Sequence, residues 1–482
     1  MSNIIKTRFA PSPTGFMHIG NLRTALYSYL LSKSQNGKFI LRIEDTDQER
    51  LVEGATDVII KTLEMTGIDY DEGPGVGGEN GPYIQSERKD IYLEYAKKLV
   101  DSGHAYYCFC TPERLQELHD KNDFGGYDRH CRDLSKEEVE KNLAEGKPYV
   151  IRQKMPLTGT TSYVDEVYGK VEIENSELQD QIMIKADGFP TYNFCHVIDD
   201  YLMGVTHVVR GNEYLTSTPK YCLLYDAFGW ERPHYVHLPL LMGKDADGNV
   251  SKLSKRHGAV SFQDLVEKGY LPEAIINYIA LLGWSPKNST EEFFTMDELK
   301  KVFSMDMLSK APSVFDYEKL KWFNSEYIKK LPEDKYLEKA MPIINNCCPD
   351  YIDKEKLAKL LHTRISAFSE INDQIGFVVE RLPMESDLYT NKKNKTNPEI
   401  CKTILEEVLP LLEQLDNWNN DNLFALLKQY AADSERKAGA VMWAVRIAVA
   451  RQSVTPGGAT ELMEVFGKNE SIERIKLAIS EL

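Results

Sequence analysis

At 482 residues, with 42% hydrophobic and 27% charged residues, the chain has a globular composition and room for about three to five compact units. A net charge of −16 argues against the broad basic surface of an indiscriminate nucleic-acid binder, although a local basic groove fits on an acidic body. Eight cysteines are too few for a disulfide scaffold, no run of about 18 apolar residues offers a membrane span, and the first residues lack the apolar core of a signal peptide, so a cytoplasmic location is expected.

Residues 4–10 read as a strand, followed by a loop of Pro, Ser and Gly at 11–17. Leu22, Ala25, Leu26, Tyr29 and Leu30 recur at helical spacing and make one buried face. Gly37 punctuates and residues 38–43 return to strand, which completes a βαβ unit, the opening of a nucleotide-binding α/β sheet. Residues 86–190 have the character of an insertion: a helix, a cysteine cluster, a charged helical run at 134–146 and short β-like segments such as 149–154. The α/β pattern resumes at 190–203 and 206–210. Beyond 330 helical periodicity dominates, as at 400–415, 423–430 and 438–450, with the polar stretch 387–398 as the linker candidate. There is no internal repeat.

Two motifs carry chemistry. In Ala10-Pro-Ser-Pro-Thr-Gly-Phe-Met-His-Ile-Gly-Asn21 a Pro/Gly loop leads from the first strand into a helix N-terminus. Unpaired backbone N–H groups and the helix dipole there favour a phosphate. His18 stands at that mouth, and Gly20 admits a flat base close to the backbone. In Lys252-Leu-Ser-Lys-Arg256, preceded by Met242-Gly-Lys-Asp-Ala-Asp-Gly-Asn-Val250, two lysines on a mobile loop are placed to close over a triphosphate. Taken singly, each motif also fits a bland reading, a packed histidine or a solvated basic loop.

Together, in this order and with an insertion between them, they resemble the His-Ile-Gly-His and Lys-Met-Ser-Lys-Ser signatures of class I aminoacyl-tRNA synthetases. Arg8-Phe-Ala-Pro-Ser-Pro-Thr-Gly15, Leu41-Arg-Ile-Glu-Asp-Thr-Asp47, Gly81-Pro-Tyr-Ile-Gln-Ser-Glu-Arg88, Asp187-Gly-Phe-Pro-Thr-Tyr-Asn193, Asp199-Asp200 and Val209-Arg-Gly211 are similar to the glutamyl-tRNA synthetase family. The resemblance continues more loosely through Gly269-Tyr-Leu-Pro-Glu-Ala274, Phe315-Asp316 and residues 446–456. Asn21 replaces the last histidine of the first signature, and Leu253 and Arg256 replace the Met and final Ser of the second. Asn212 stands where an acidic residue is usual.

The resemblance implies an α/β Rossmann-type catalytic domain in two halves (1–85 and 191–247) around an α+β insertion (86–190) that holds the tRNA acceptor end. A stem-contact segment (248–330) carries the Lys-Leu-Ser-Lys-Arg loop, and an all-α anticodon-binding region follows (331–385 and 386–482). Glutaminyl enzymes finish in β-barrels, so the helical tail favours the bacterial-type glutamyl family.

A glutamate pocket needs a fixed cation for the side-chain carboxylate. By resemblance Arg8 and Arg210 form that clamp and Tyr192 adds a hydroxyl. Glu44 then meets the α-ammonium with Ser12 adding a nearby hydrogen bond, Ala10 belongs to the same glutamate-binding set and His196 to the wall. An Arg8–Glu44 ion pair across adjacent strands is the structural alternative. His18, Gly20, Asn21, Glu213, Lys252, Ser254 and Lys255 make up the ATP set, with His18, Gly20, Lys252 and Lys255 catalytic and Mg²⁺ on the phosphates. The family also binds tRNA before activating its amino acid.

Cys108-Phe-Cys110 and Cys131 supply three soft ligands for a structural Zn²⁺, and closure needs a fourth, for which Tyr127, His130 and Asp133 are within reach by sequence. Asp133 fits the family's zinc-bearing pattern best. Anticodon contacts are expected from Lys392, Lys393, Lys395, Arg436, Lys437, Arg446 and Arg451. The expected partners are L-glutamate and tRNA(Glu), with no membrane, and the chain is expected to be a monomer. Competing readings are a glutaminyl or dual-charging enzyme, a small-molecule adenylyltransferase, and an inert tRNA-binding paralogue.

Overall fold

The computed structural model describes residues 4–121, 126–245 and 247–482, so Ala246 of the Gly/Asp-rich loop and the first three residues lie outside the description. The chain divides into two compact units, Met1–Leu265 with Ile275–Asp316, and Val266–Ala274 with Tyr317–Leu482. Among the described residues no helix is long and apolar enough to cross a membrane.

The first unit opens with β1 (Lys6–Phe9), α1 (Ile19–Lys33) and β2 (Lys38–Leu41), the two strands parallel with Arg8 beside Ile40. Leu22, Ala25, Leu26, Tyr29 and Leu30 are all buried, and so are Tyr27, Ser28 and Leu31, which makes α1 a core helix rather than a one-faced one. The insertion contributes β3 (Ala105–Cys108), β4 (Val150–Gln153), β5 (Thr160–Asp165), β6 (Gly169–Glu174) and β7 (Ile182–Ile184). Strands β3, β4 and β7 form an antiparallel sheet of their own, covered by Tyr92, Ala96 and Leu99 of the Lys89–Asp101 helix.

Strands β5 and β6 behave differently. They join β8 (His207–Gly211) and β9 (His234–Leu238) in a sheet of order β6-β5-β9-β8, through Asp165 beside Tyr235. The segment read as one insertion is therefore divided, because residues 160–174 complete a sheet of the catalytic half. β8, the Thr218–Phe228 helix and β9 form a second parallel βαβ unit, which sets Arg210 next to His237. The hairpin of β10 (Leu241–Lys244) and β11 (Val250–Lys252) presents the second motif, and β10 pairs with β12 (Ser313–Phe315).

The second unit is helical. Pro398–Gln414, Asn420–Asp433, Ala438–Ala450 and Ala459–Glu481 pack around Leu405, Leu412, Leu427, Val445, Ala448 and Ile475. The expected linker at 387–398 contains a closed turn instead: Asn391 and Thr396 exchange backbone hydrogen bonds of 3.1 Å in both directions.

Candidate active site

Between β1 and α1 the chain lines a cavity of about 510 Å³ with Arg8, Ala10, Ser12, His18, Gly20 and Asn21. His18 caps α1: its Nδ1 accepts the Gly20 N–H at 3.0 Å. The remaining ring nitrogen therefore carries the proton of the neutral imidazole and can donate. Burial, and then the charge of Lys252, hold the His18 pKa below the ordinary imidazole value. The first motif meets the segment that follows the second, because Ile19 N–H donates to the Val260 carbonyl and Phe262 N–H to the Met17 carbonyl, both at 2.9 Å.

Lys252 and Glu213 line the same cavity, whereas Ser254 and Lys255 sit just outside it. Both lysines are exposed, and neither forms an ion pair among the described residues. What fixes this loop is His257, which sequence reading passed over. Its ring is buried against Gly243, where an added Cβ would come within 2.5 Å, and it hydrogen-bonds Ser254 and Ser251. Asn212 turns away from the cavity lining and donates to the Tyr168 hydroxyl at 3.3 Å.

At the other end Arg8, Glu44, Tyr192 and Arg210 line the cavity. Arg8 does not pair with Glu44. Its Nε donates to Asp200 at 3.0 Å and its Nη1 to the Val209 carbonyl at 3.2 Å. Arg42, fully buried, donates to Asp200 at 2.8 Å and to Glu44 at 3.2 Å and lies 3.7 Å from Asp199. Gln85 adds a hydrogen bond to Glu44 at 3.3 Å. Burial outweighs these cations and pushes the Glu44 pKa up to about 7. Arg42 and Gln85 belong to quoted motifs, but nothing in the sequence marked them as the supports of Glu44.

Arg210 is held in another way. Nε donates to His237 Nε2 at 3.1 Å, Nη2 to Thr218 Oγ1 at 2.7 Å, and Nη1 lies 3.5 Å from His196 Nε2. The rings of Tyr214 and Tyr221 lie 4.9 Å from the guanidinium carbon. Among the described residues no carboxylate is within ion-pair distance of it. His196 is outside the cavity lining: it stacks beneath Tyr192 with centroids 4.8 Å apart and supports the wall from behind. Its Nδ1 donates to the Tyr192 carbonyl at 2.7 Å, and burial followed by Arg210 lowers its pKa to about 3, so the ring is neutral.

In the insertion, the sulfurs of Cys108, Cys110 and Cys131 all lie within 4.8 Å of one another. The Tyr127 hydroxyl is 3.2 Å from Cys108 Sγ and 3.8 Å from Cys110 Sγ. Asp133, the preferred fourth ligand by sequence, is not brought there. Its side chain is 83% exposed and pairs with Lys154 at 3.3 Å, because the turn after Cys131 points it outward. His130 is exposed and contributes no atom to the cluster.

The model for "tRNA synthetases class I (E and Q), catalytic domain" matches residues 4–322, and an "Anticodon binding domain" model matches residues 317–479. The chain is 54% identical to the glutamate–tRNA ligase of Clostridium botulinum, covering 100% of this chain and 99% of that one. It is 55% identical to that of Clostridium novyi, covering 99% and 98%. The chain belongs to the glutamate–tRNA ligase family. A crystal structure of a glutamate tRNA ligase from Elizabethkingia meningosepticum, in complex with its amino acid, superposes with a TM-score of 0.89 at 34% identity over 100% of both chains. The Elizabethkingia anophelis glutamate-tRNA synthetase gives 0.88 at 34% identity over 99% of each.

The helical unit sorts the family's expected anticodon contacts. Arg451 is committed internally, to the Leu382 carbonyl at 2.9 Å and to Glu481 at 2.6 Å. Arg436 pairs with Glu407 at 3.2 Å. Lys392, Lys393, Lys395 and Lys437 are exposed, and Arg446 is half-buried; none has an ion pair among the described residues. Asn394 abuts Gly439, where a Cβ would come within 2.6 Å, so the lysine-bearing turn adjoins the helix that starts after Lys437.

Proposed function

We propose that the cavity activates L-glutamate with ATP and that the chain transfers the glutamyl group to the 3′ end of tRNA(Glu). The observation that carries this reading is Arg210, a buried guanidinium facing the cavity without a carboxylate partner, since an uncompensated buried charge calls for an anionic ligand. The side-chain carboxylate of glutamate fills that need, with Arg8 and Tyr192 beside it. Glu44 receives the α-ammonium, and Ala10 and Ser12 form the floor. Sequence alone placed His196 in the same wall; its assignment here is to hold Tyr192 and Arg210.

In the first step the α-carboxylate attacks the α-phosphate of ATP, forming the acyl–phosphate bond and releasing pyrophosphate. His18 donates from its second ring N–H, which meets the Leu253 backbone before the nucleotide binds, and Lys252 and Lys255 offset the charge that develops on the phosphates. Gly20, Asn21, Glu213 and Ser254 belong to the nucleotide's surroundings. In the second step a terminal ribose hydroxyl of tRNA attacks the mixed anhydride and AMP leaves. Mg²⁺ is expected on the phosphates of the nucleotide.

The cysteine cluster suits zinc. Sulfurs on a tetrahedral zinc sit about 3.8 Å apart, and Cys110 and Cys131 are 3.6 Å apart. Tyr127 is the fourth ligand the geometry favours over Asp133. Zinc bound by Cys108, Cys110, Cys131 and Tyr127 would pin the insertion that meets the acceptor end. Metal analysis of protein purified without chelator checks this, with about one zinc per chain expected; a substoichiometric content discards it.

Lys392, Lys393, Lys395, Lys437 and Arg446 are the anticodon-side contacts we retain, with Arg436 and Arg451 demoted to supports. The segment boundaries expected from sequence stand as the working domain division, apart from residues 160–174 and from residues 266–274 and 317–330, which group with the helical unit. Eight free cysteines suit a reducing compartment, which supports a cytoplasmic location; a monomer is the working assembly. The test of the whole reading is incorporation of labelled glutamate and glutamine by the purified chain with ATP and purified tRNAs. Glutamate on tRNA(Glu) is the expected product; labelled glutamine, or no acylation, ends the assignment.

A further inference from the structure

The two pocket arginines differ in what holds them. Asp200 takes the charge of Arg8, whereas Arg210 donates only to neutral acceptors. We infer that His237 is a positioning residue for glutamate recognition: its Nε2 orients the Arg210 guanidinium while leaving the charge for the substrate's side-chain carboxylate. The inference rests on Arg210 being that carboxylate's partner.

His237 is fully buried on β9, directly beside Arg210 of β8. Its Nδ1 lies 2.6 Å from Asp165 Oδ2. A carboxylate only accepts, so Nδ1 carries the proton and donates, and Nε2 of the neutral ring is the acceptor that Arg210 Nε meets at 3.1 Å. Burial keeps the ring's pKa below the ordinary value although Asp165 works the other way. Thr218 repeats the logic, its hydroxyl donating to the Tyr214 carbonyl and accepting from Arg210 at 2.7 Å each. A carboxylate in either place would hold the guanidinium equally well but would neutralise it before glutamate arrived. Asp165, one ring further away, fixes the tautomer.

Asp165 also accepts the backbone N–H groups of Val167, Tyr168 and His237, so a purely structural role for the His237–Asp165 contact must be separable. The two ends of the ring separate it. His237→Asn keeps a donor near the Nδ1 position for Asp165 and loses the Nε2 acceptor. His237→Gln keeps an acceptor near the Nε2 position and loses the tie to Asp165. Steady-state aminoacylation with tRNA(Glu) gives the KM for glutamate and for ATP.

Losing a hydrogen bond to a charged group predicts a glutamate KM raised about 10- to 100-fold in His237→Asn. The KM for ATP and kcat should stay within about threefold, as should every constant of His237→Gln. The reverse order, or parental glutamate KM in both, overturns the role of His237. Arg210→Ala is run alongside: a parental glutamate KM there overturns the reading of Arg210 itself, and a raised one with an unaffected His237→Asn overturns only the role of His237. If His237→Asn fails to fold, His237→Leu is compared with His237→Gln: both lose the tie to Asp165 and only Gln keeps an acceptor, so a raised glutamate KM in the Leu variant alone answers the same question.

Discussion

At the amino-acid end of the cavity the charged side chains are buried and held before any substrate arrives. Arg42 joins Asp200 and Glu44, Arg88 holds Asp199 at 2.7 Å, and Arg8 leans on Asp200. At the phosphate end Lys252 and Lys255 are exposed and lack an ion pair among the described residues; the nearby buried ring of His257 does the anchoring. A pocket that must tell one amino acid from another requires fixed geometry, and desolvated charges provide it only when each is oriented. Lysines that stabilise a passing phosphate charge can stay solvated until the nucleotide draws them in. Mutations at the two ends should therefore fail differently, one in stability or KM, the other in turnover.

The largest expected effect is at the exposed end. Lys255→Ala should lower the turnover of adenylate formation about 10²- to 10³-fold and leave the thermal midpoint where it was, since the side chain supports nothing in the fold. Pyrophosphate exchange in the presence of tRNA measures the first and a thermal scan the second. Unchanged adenylate formation would remove Lys255 from the mechanism.

Arg42→Met probes the opposite end. It leaves the buried carboxylates of Asp199, Asp200 and Glu44 without their shared cation, at a cost of about 3–5 kcal/mol. Calorimetry should show the transition of the catalytic unit falling while that of the helical unit holds. An undisturbed midpoint would mean that the network is not the scaffold described.

The same contrast explains what could be read in the sequence. The residues that line the cavity lie in short contiguous strings, so the gathering of His18, Gly20, Lys252, Arg8 and Arg210 was legible from motifs, and α1 and the Ala438–Ala450 helix from their periodicity. The supports of those residues are contacts between distant segments. Arg42 with Asp200 and His237 with Arg210 exist only once the sheet is assembled. Residues 160–174 were misplaced for the same reason, since a strand's partner is decided by pairing rather than by its own pattern. The helical reading of the tail extended to the C-terminus, but the kink at Gly467, φ 74°, within Ala459–Glu481 was not legible.

The smallest effect sharpens the comparison by titration. Glu44 is pushed up to about 7 in the empty pocket by burial, which Arg42 and Arg8 only partly offset. Only its ionised form attracts the α-ammonium of glutamate, so protonation competes with binding. The pKa is raised, so the ionised fraction falls as pH drops below 7, and the glutamate KM should rise about fivefold between pH 7 and pH 6. The KM for ATP should not follow, because Glu44 serves the amino-acid end. Glu44→Gln removes the titrating group: the glutamate KM should then be high and flat across the same interval. A wild-type KM already flat from pH 6 to pH 7.5 would place the Glu44 proton elsewhere and make Arg42, rather than burial, the dominant influence on that carboxylate.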